Sequence, residues 1–120
     1  MIGHVDAAGR ALLPITVRNP TSGATAQWDA WIDTGFTGDL VVPRTLLIAL
    51  GLQPTSTATG ILADGSQVVL DRYSCLVDWF GQQRPAEVIA NDGAYPLLGV
   101  GLLNTHTLTI EYLAGSLTLL

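Results

Sequence analysis

Short apolar or alternating segments, each closed by turn residues, recur along almost the whole chain, and this pattern predicts strands. Residues 11–18 and 25–32 are two such segments, separated by Asn19-Pro20-Thr21-Ser22-Gly23, a turn by composition. Residues 40–42 read as a short strand. Pro43 then stands where the first turn of a helix accepts it, and residues 44–50 read as that helix, closed by Gly51. Residues 57–62 and 67–80 flank Ala63-Asp64-Gly65-Ser66, and Asp-Gly between two strand-like runs is a strong hairpin signal. Gly81-Gln82-Gln83-Arg84 reads as a turn into a strand over residues 85–90. After a loop over residues 91–96 come Leu97-Leu98-Gly99 and a short helix reaching Asn104. Residues 107–112 and 116–120 form a last hairpin around Ala114-Gly115. The chain contains no internal repeat, linker or low-complexity tract. The expected architecture is one all-β domain over residues 1–120 with one or two short helices.

Composition changes this picture in one respect. Of the 120 residues 48% are hydrophobic and only 12% charged, which leaves little charge to cover an isolated surface. A buried subunit interface is therefore expected. The net charge of −5, with five scattered arginines and no lysine, offers no basic stripe for nucleic acid and no attraction to an anionic membrane surface. No apolar run approaches the roughly 18 residues that span a bilayer. Residues 1–6 lack the basic and apolar regions of a signal peptide. Cys75 is the one cysteine, sits in an apolar strand pattern, and fits a core position in a reducing, cytoplasmic compartment. His4 and His106 are too far apart and too poorly accompanied to suggest a metal site.

The richest stretch is Trp31-Ile32-Asp33-Thr34-Gly35-Phe36-Thr37-Gly38-Asp39-Leu40-Val41-Val42-Pro43, where a strand runs into an Asp-Thr-Gly triplet and then into a second strand. A carboxylate at such a turn is costly unless it is hydrogen-bonded. Asp33 is therefore either a structural turn residue or a catalytic one. With the triplet stand three further features in order: the helix after Pro43, the long hairpin tipped by Ala63-Asp64-Gly65, and Pro96-Leu97-Leu98-Gly99 before a short helix. Together they resemble a retroviral-type (retropepsin-like) aspartic protease of the small single-lobe kind, over about residues 11–120.

The resemblance implies a closed β-barrel of the acid-protease type with a flap hairpin, and an aspartic endopeptidase that needs neither metal nor organic cofactor. It assigns Asp33 as the catalytic carboxylate. Thr34, Gly35, Leu97, Leu98 and Gly99 would support its loop. Phe36, Thr37, Ile61, Leu62, Ala63, Asp64 and Gly65 would contact a peptide or protein substrate at the cleft and flap. Two-lobed relatives carry two triplets on a chain more than twice as long. A single triplet therefore implies a homodimer in which each subunit lends its Asp33. In retroviral relatives the terminal strands interleave across the dimer, which points to residues 117–120 here, and to residues 2–5 beside them. Gly35 would let two loops approach closely, and the Thr34 hydroxyl would bond to the facing loop.

The chain departs from the pattern at Phe36, where relatives carry a small residue, and at the flap tip, where Ile61 or Leu62 must do the work of an aromatic. The competing expectation is a non-catalytic dimeric module of the same fold that holds an extended peptide by strand pairing. Facing Asp33 carboxylates in an open cleft would favour the enzyme, and a Phe36 ring filling the site would favour the binding module.

Overall fold

The computed structural model describes residues 1–120. Ten strands and two short helices follow one another as β1 (Ile2–Val5), β2 (Ala11–Arg18), β3 (Thr25–Ile32), β4 (Leu40–Pro43), α1 (Arg44–Ala49), β5 (Ser56–Ile61), β6 (Gln67–Trp79), β7 (Gln82–Asn91), β8 (Leu97–Leu98), α2 (Val100–Leu103), β9 (Leu108–Glu111) and β10 (Ser116–Leu119). They form one sheet in the order β5-β6-β7-β4-β8-β3-β2-β1-β10-β9, with a further pairing of β6 on β2. Hydrogen bonding therefore passes from β6 through β7, β4, β8, β3 and β2 and returns to β6.

Alternation explains which face of each strand points inward. In β2, Leu13, Ile15 and Val17 are buried, and in β3 Trp28 and Ala30 are buried while Trp31 is exposed. These side chains join Val42, Leu47, Val77, Val88, Leu98, Leu102, Leu117 and Leu119 in one apolar cluster of 23 buried residues. Pro14 falls in the gap where β2 changes partner, between the residues that pair with β1 (Ala11, Leu12) and those that pair with β6 (Val17, Arg18). Asn19 is the buried polar residue of this core. Its Nδ2 donates to Leu50 O at 3.1 Å and its Oδ1 accepts from Thr21 N at 2.9 Å, which ties the β2–β3 turn to the end of α1.

Two expectations are corrected. The turn after β6 is made by Phe80 and Gly81 alone, with Trp79 facing Gln82, so Gln82, Gln83 and Arg84 already belong to β7. Both turn residues have positive φ, 51° at Phe80 and 80° at Gly81, as a two-residue hairpin turn of the primed type requires. An aromatic residue is rarely found there. Phe80 is held by stacking on His106 at 4.5 Å and by an edge contact with Trp79, whose indole N–H donates to His106 Nε2 at 3.0 Å.

The second correction concerns the chain ends. β10 does not stand free for a partner: it pairs with β1 on one side and β9 on the other, and Leu117 and Leu119 are fully buried in the chain's own core.

Candidate active site

Asp33 follows the last residue of β3 and sits in a tight turn. Phe36 N donates to Asp33 O at 3.2 Å, and Gly35 N donates to the carboxylate Oδ1 at 3.0 Å. Asp33 N donates to Leu98 O at 2.9 Å. The placement of the turn follows from β8. This two-residue strand lies between β3, to which it is parallel, and β4, to which it is antiparallel, so that Leu97 and Leu98 hold the two ends of the Asp33 loop together. Leu98 is fully buried and Leu97 half-buried.

Beyond β8 the chain is stitched to the same loop. Gly99 N donates to Asp39 O at 2.9 Å, Val100 N to Phe36 O at 2.8 Å and Gly101 N to Gly38 O at 2.9 Å. Such closeness excludes side chains. A Cβ on Gly99 would collide with Gly38 O, Phe36 O and the Phe36 ring, and one on Gly101 would meet the Asp39 carboxylate and the Gly38 backbone. The other end of the Asp39 carboxylate is also used: Oδ2 accepts Glu87 N from β7 at 3.0 Å. Arg84 Nη2 donates to Gly101 O at 2.8 Å and secures the segment from below.

The Phe36 ring lies over Gly38 and Gly99. The missing side chains of these two glycines form its seat, so the ring turns back onto its own loop. Its free face walls an apolar pocket of about 250 Å³, together with Val41, Ala58, Gly60, Leu70 and Ile89. Trp31, Ile32, Asp33 and Leu97 line a second cavity, of about 370 Å³, open beside the carboxylate. Trp31 continues outward into a cluster with Tyr95, whose ring lies 4.3 Å from the Arg10 guanidinium. Asp6 pairs with that guanidinium at 2.7 Å. The main-chain N–H of Arg10, together with the guanidinium and Ala8 N, holds the Asp6 carboxyl below its ordinary range.

Thr34, Gly35 and Thr37 are exposed, and Asp33 and Phe36 half-buried. Ile61, Leu62, Ala63, Asp64 and Gly65 are all exposed at the tip of the β5–β6 hairpin, and none of them lines the cavity at Asp33 or the pocket at Phe36. The hairpin reaches the candidate site through its stem instead, at Ala58, Thr59 and Gly60. Asp33, Thr34, Gly35, Phe36, Leu97, Leu98 and Gly99 are thus one contiguous constellation, and the tip residues are apart from it. Sequence reading missed Gly38, Asp39, Arg84 and Gly101. The spacing Gly99-x-Gly101 opposite Gly38 was the available signal.

Solved structures with the same chain path are retropepsin-like. The chain is similar to a retropepsin-like aspartic protease from Rickettsia conorii, with a TM-score of 0.70 at 18% identity over 99% of this chain and 88% of that one. It is also similar to the EIAV protease solved with the inhibitor HBY-793 (TM-score 0.57, 13% identity, 83% of this chain and 90% of that one). The retroviral protease-like domain of Ddi1 from Leishmania major gives a TM-score of 0.55 at 16% identity, over 91% of this chain and 86% of that domain. No protein-family model and no curated protein matches the sequence. The chain therefore has a mostly β, retropepsin-like fold, and its structural neighbours are aspartic proteases.

Proposed function

We propose that the chain is one subunit of a homodimeric aspartic endopeptidase, with the 120 residues as one lobe and Asp33 as half of the catalytic dyad. The observation that carries the reading is the Asp33 turn itself. It lies open beside a cavity, and main-chain bonds from Leu98 and from residues 99–101 fix it in a retropepsin-like fold. In this reading the ring of strand pairings is a closed barrel and the β5–β6 hairpin is the flap that covers an extended peptide.

The chemistry follows from placing two such loops about a two-fold axis. Two carboxylates about 3 Å apart cannot both ionise, so they share one proton, as aspartic-protease dyads do in general. The ionised Asp33 takes a proton from a water molecule while the protonated one donates to the scissile carbonyl oxygen. Attack by the water gives a tetrahedral diol. Proton transfer to the amide nitrogen then lets the carbon–nitrogen bond break, and the dyad regains its shared proton. The step uses neither metal nor organic cofactor. In this reading Thr34, which is exposed, would bond across to the facing loop, and Gly35 would leave that approach unobstructed. Phe36, seated on Gly38 and Gly99, does not line the cavity beside Asp33 and instead walls the pocket at the hairpin stem. That orientation favours the enzyme over a binding module whose site the ring would fill. With Cys75 a buried free thiol, a reducing compartment such as the cytoplasm suits the protein.

Asp33→Asn is the test. The parent is expected to cleave a peptide library at acidic to mildly acidic pH and the variant to leave it intact. Equal cleavage by both would remove Asp33 from the mechanism.

A further inference from the structure

Beside the cavity at Asp33 lies another whose chemistry the cleavage step does not use. It measures about 270 Å³ and is lined by Arg10, Trp31, Asn91, Ala94, Tyr95 and Leu97. Trp31 and Leu97 also line the cavity that opens at the Asp33 carboxylate, so the two adjoin. Most of the wall is apolar, from the indole and phenol rings, Ala94 and Leu97. Arg10 is the charged residue in it.

One edge of the guanidinium is anchored. Nε donates to Asp6 Oδ2 at 2.7 Å, while Oδ1 of the same carboxylate accepts Arg10 N at 2.9 Å and Ala8 N at 3.0 Å. Three donors thus occupy Asp6 and hold it against the Nε side. The guanidinium carbon lies 4.3 Å from the Tyr95 ring centre and 6.0 Å from that of Trp31, so two aromatic faces fix the group further. Nη1 and Nη2 have no hydrogen-bond partner in the chain, and the side chain is 29% exposed. Asn91 uses its Oδ1 to accept Gly93 N at 3.2 Å, which leaves its Nδ2 donor free. The cavity therefore offers free donors from Arg10 and Asn91 among apolar walls.

We propose that this cavity takes an acidic side chain of the peptide substrate, glutamate or aspartate, close to the bond cleaved at Asp33. The free Nη1 and Nη2 of Arg10 match the two oxygens of a carboxylate, and the methylenes of the acidic residue lie against Trp31 and Tyr95. A neutral amide of the same shape would set an NH₂ group against those donors. Charge points the same way. The charged groups at the two cavities are Arg10 with its partner Asp6, and Asp33. In a chain of net charge −5 an acidic residue is repelled from a cleft built on carboxylates, and Arg10 is the group there that offsets the repulsion. The inference rests on the protease reading for the peptide nature of the ligand.

The test uses peptide pools capped at both ends, each with glutamate or glutamine fixed at a single position, and a parallel set with a free C-terminus. Cleavage by the parent reads kcat/KM, and retention by Asp33→Asn protein reads binding without cleavage. At about pH 6 glutamate should be preferred over glutamine at least about tenfold at one position, and the preference should fade below about pH 4, where glutamate takes up its proton. Arg10→Gln should bring the ratio to within about twofold of even. An even ratio in the parent, a ratio that folded Arg10→Gln keeps, or one that ignores pH overturns the proposal. So does a preference that follows the free C-terminus rather than the fixed glutamate, or an Arg10→Gln protein that no longer pairs with its second copy, since the Nη groups then serve the partner. If Arg10→Gln does not fold, the pH dependence of the parent's ratio decides the matter alone. Glutamate-selective retention without any cleavage by the parent sinks only the protease reading. Cleavage with an even ratio sinks only the carboxylate pocket.

Discussion

Two turns of the chain share one local device and have different fates. At Asp33-Thr34-Gly35 the carboxylate accepts the N–H of the second residue on, at 3.0 Å, and at Asp64-Gly65-Ser66 it does so again at 2.9 Å. Each turn joins two strands and each carries a glycine. What separates them is range. The Asp33 turn is bonded to residues sixty or more positions away, at Leu98 and through the segment Gly99–Gly101. The Asp64 turn is held only by its own neighbours: Leu62 N to Ser66 O at 2.8 Å, Gly65 N to Leu62 O at 2.9 Å, and Ser66 Oγ to Asp64 Oδ1 at 2.6 Å. A turn fixed from outside can hold a reactive group in one geometry, and a turn fixed only by itself can move as a lid.

The largest expected difference between them is in catalysis. Asp33→Asn should lower kcat by about 10²–10⁴-fold, the usual worth of a general acid–base group. Asp64→Asn should leave kcat within about twofold, measured on the same peptide, since nothing places Asp64 at the reacting bond. Comparable losses at the two positions would dissolve the distinction.

Stability sharpens it next. Gly99→Ala should cost about 1–3 kcal/mol in urea unfolding, because the new methyl meets main-chain oxygens that cannot retreat. The three atoms nearest a Cβ on Gly38 all belong to the Phe36 ring, so Gly38→Ala should cost about 1–2 kcal/mol in the parent and little in a Phe36→Ala background. Failure of Phe36→Ala to rescue Gly38→Ala would mean that the ring is seated elsewhere. At the hairpin, Gly65→Ala should cost about 1 kcal/mol through its φ of +84°, with open space around the new methyl.

Titration separates the regions further. Burial, and then the Asp39 carboxylate, push the Cys75 thiol up from 9.0 to about 12. The folded state holds that proton where the unfolded state has lost it. Stability from this group is complete below pH 9 and declines as pH rises toward 12. Asp64 moves the other way: the Ser66 hydroxyl, then the Ser66 N–H, lower its carboxyl. Its contribution is present above the ordinary carboxylate range and is lost as pH falls through the lowered value. Unfolding midpoints should therefore fall on the alkaline side in the parent and less in Cys75→Ala, while Asp64→Ala changes only the acid limb. Smallest of all, Ile61→Ala should change unfolding by no more than about 0.5 kcal/mol, as exposed positions do.

Much of this fold is legible in the chain because strands announce themselves through alternation and turns through glycine. Residues 11–18 and 25–32 needed nothing more. The turn at Phe80-Gly81 was hidden because a phenylalanine with positive φ is held by His106 and Trp79, which no local rule anticipates. The polar run Gln82-Gln83-Arg84 then imitates a turn because it forms the exposed start of a strand. At the candidate site, the triplet and Leu97-Leu98-Gly99 stand out by composition. Gly38, Asp39 and Gly101 do not, because their role exists only where distant segments cross. The orientation of Phe36 is likewise set by two absent side chains far apart in sequence.

The central claim is that Asp33 works as half of a pair. Mixing parent with Asp33→Asn protein at fixed total concentration, with full subunit exchange, tests it most directly. Cleavage should fall as the square of the parent fraction, because only dimers with two intact carboxylates are active. A linear fall would assign activity to single subunits, and unchanged cleavage would remove Asp33 from the chemistry.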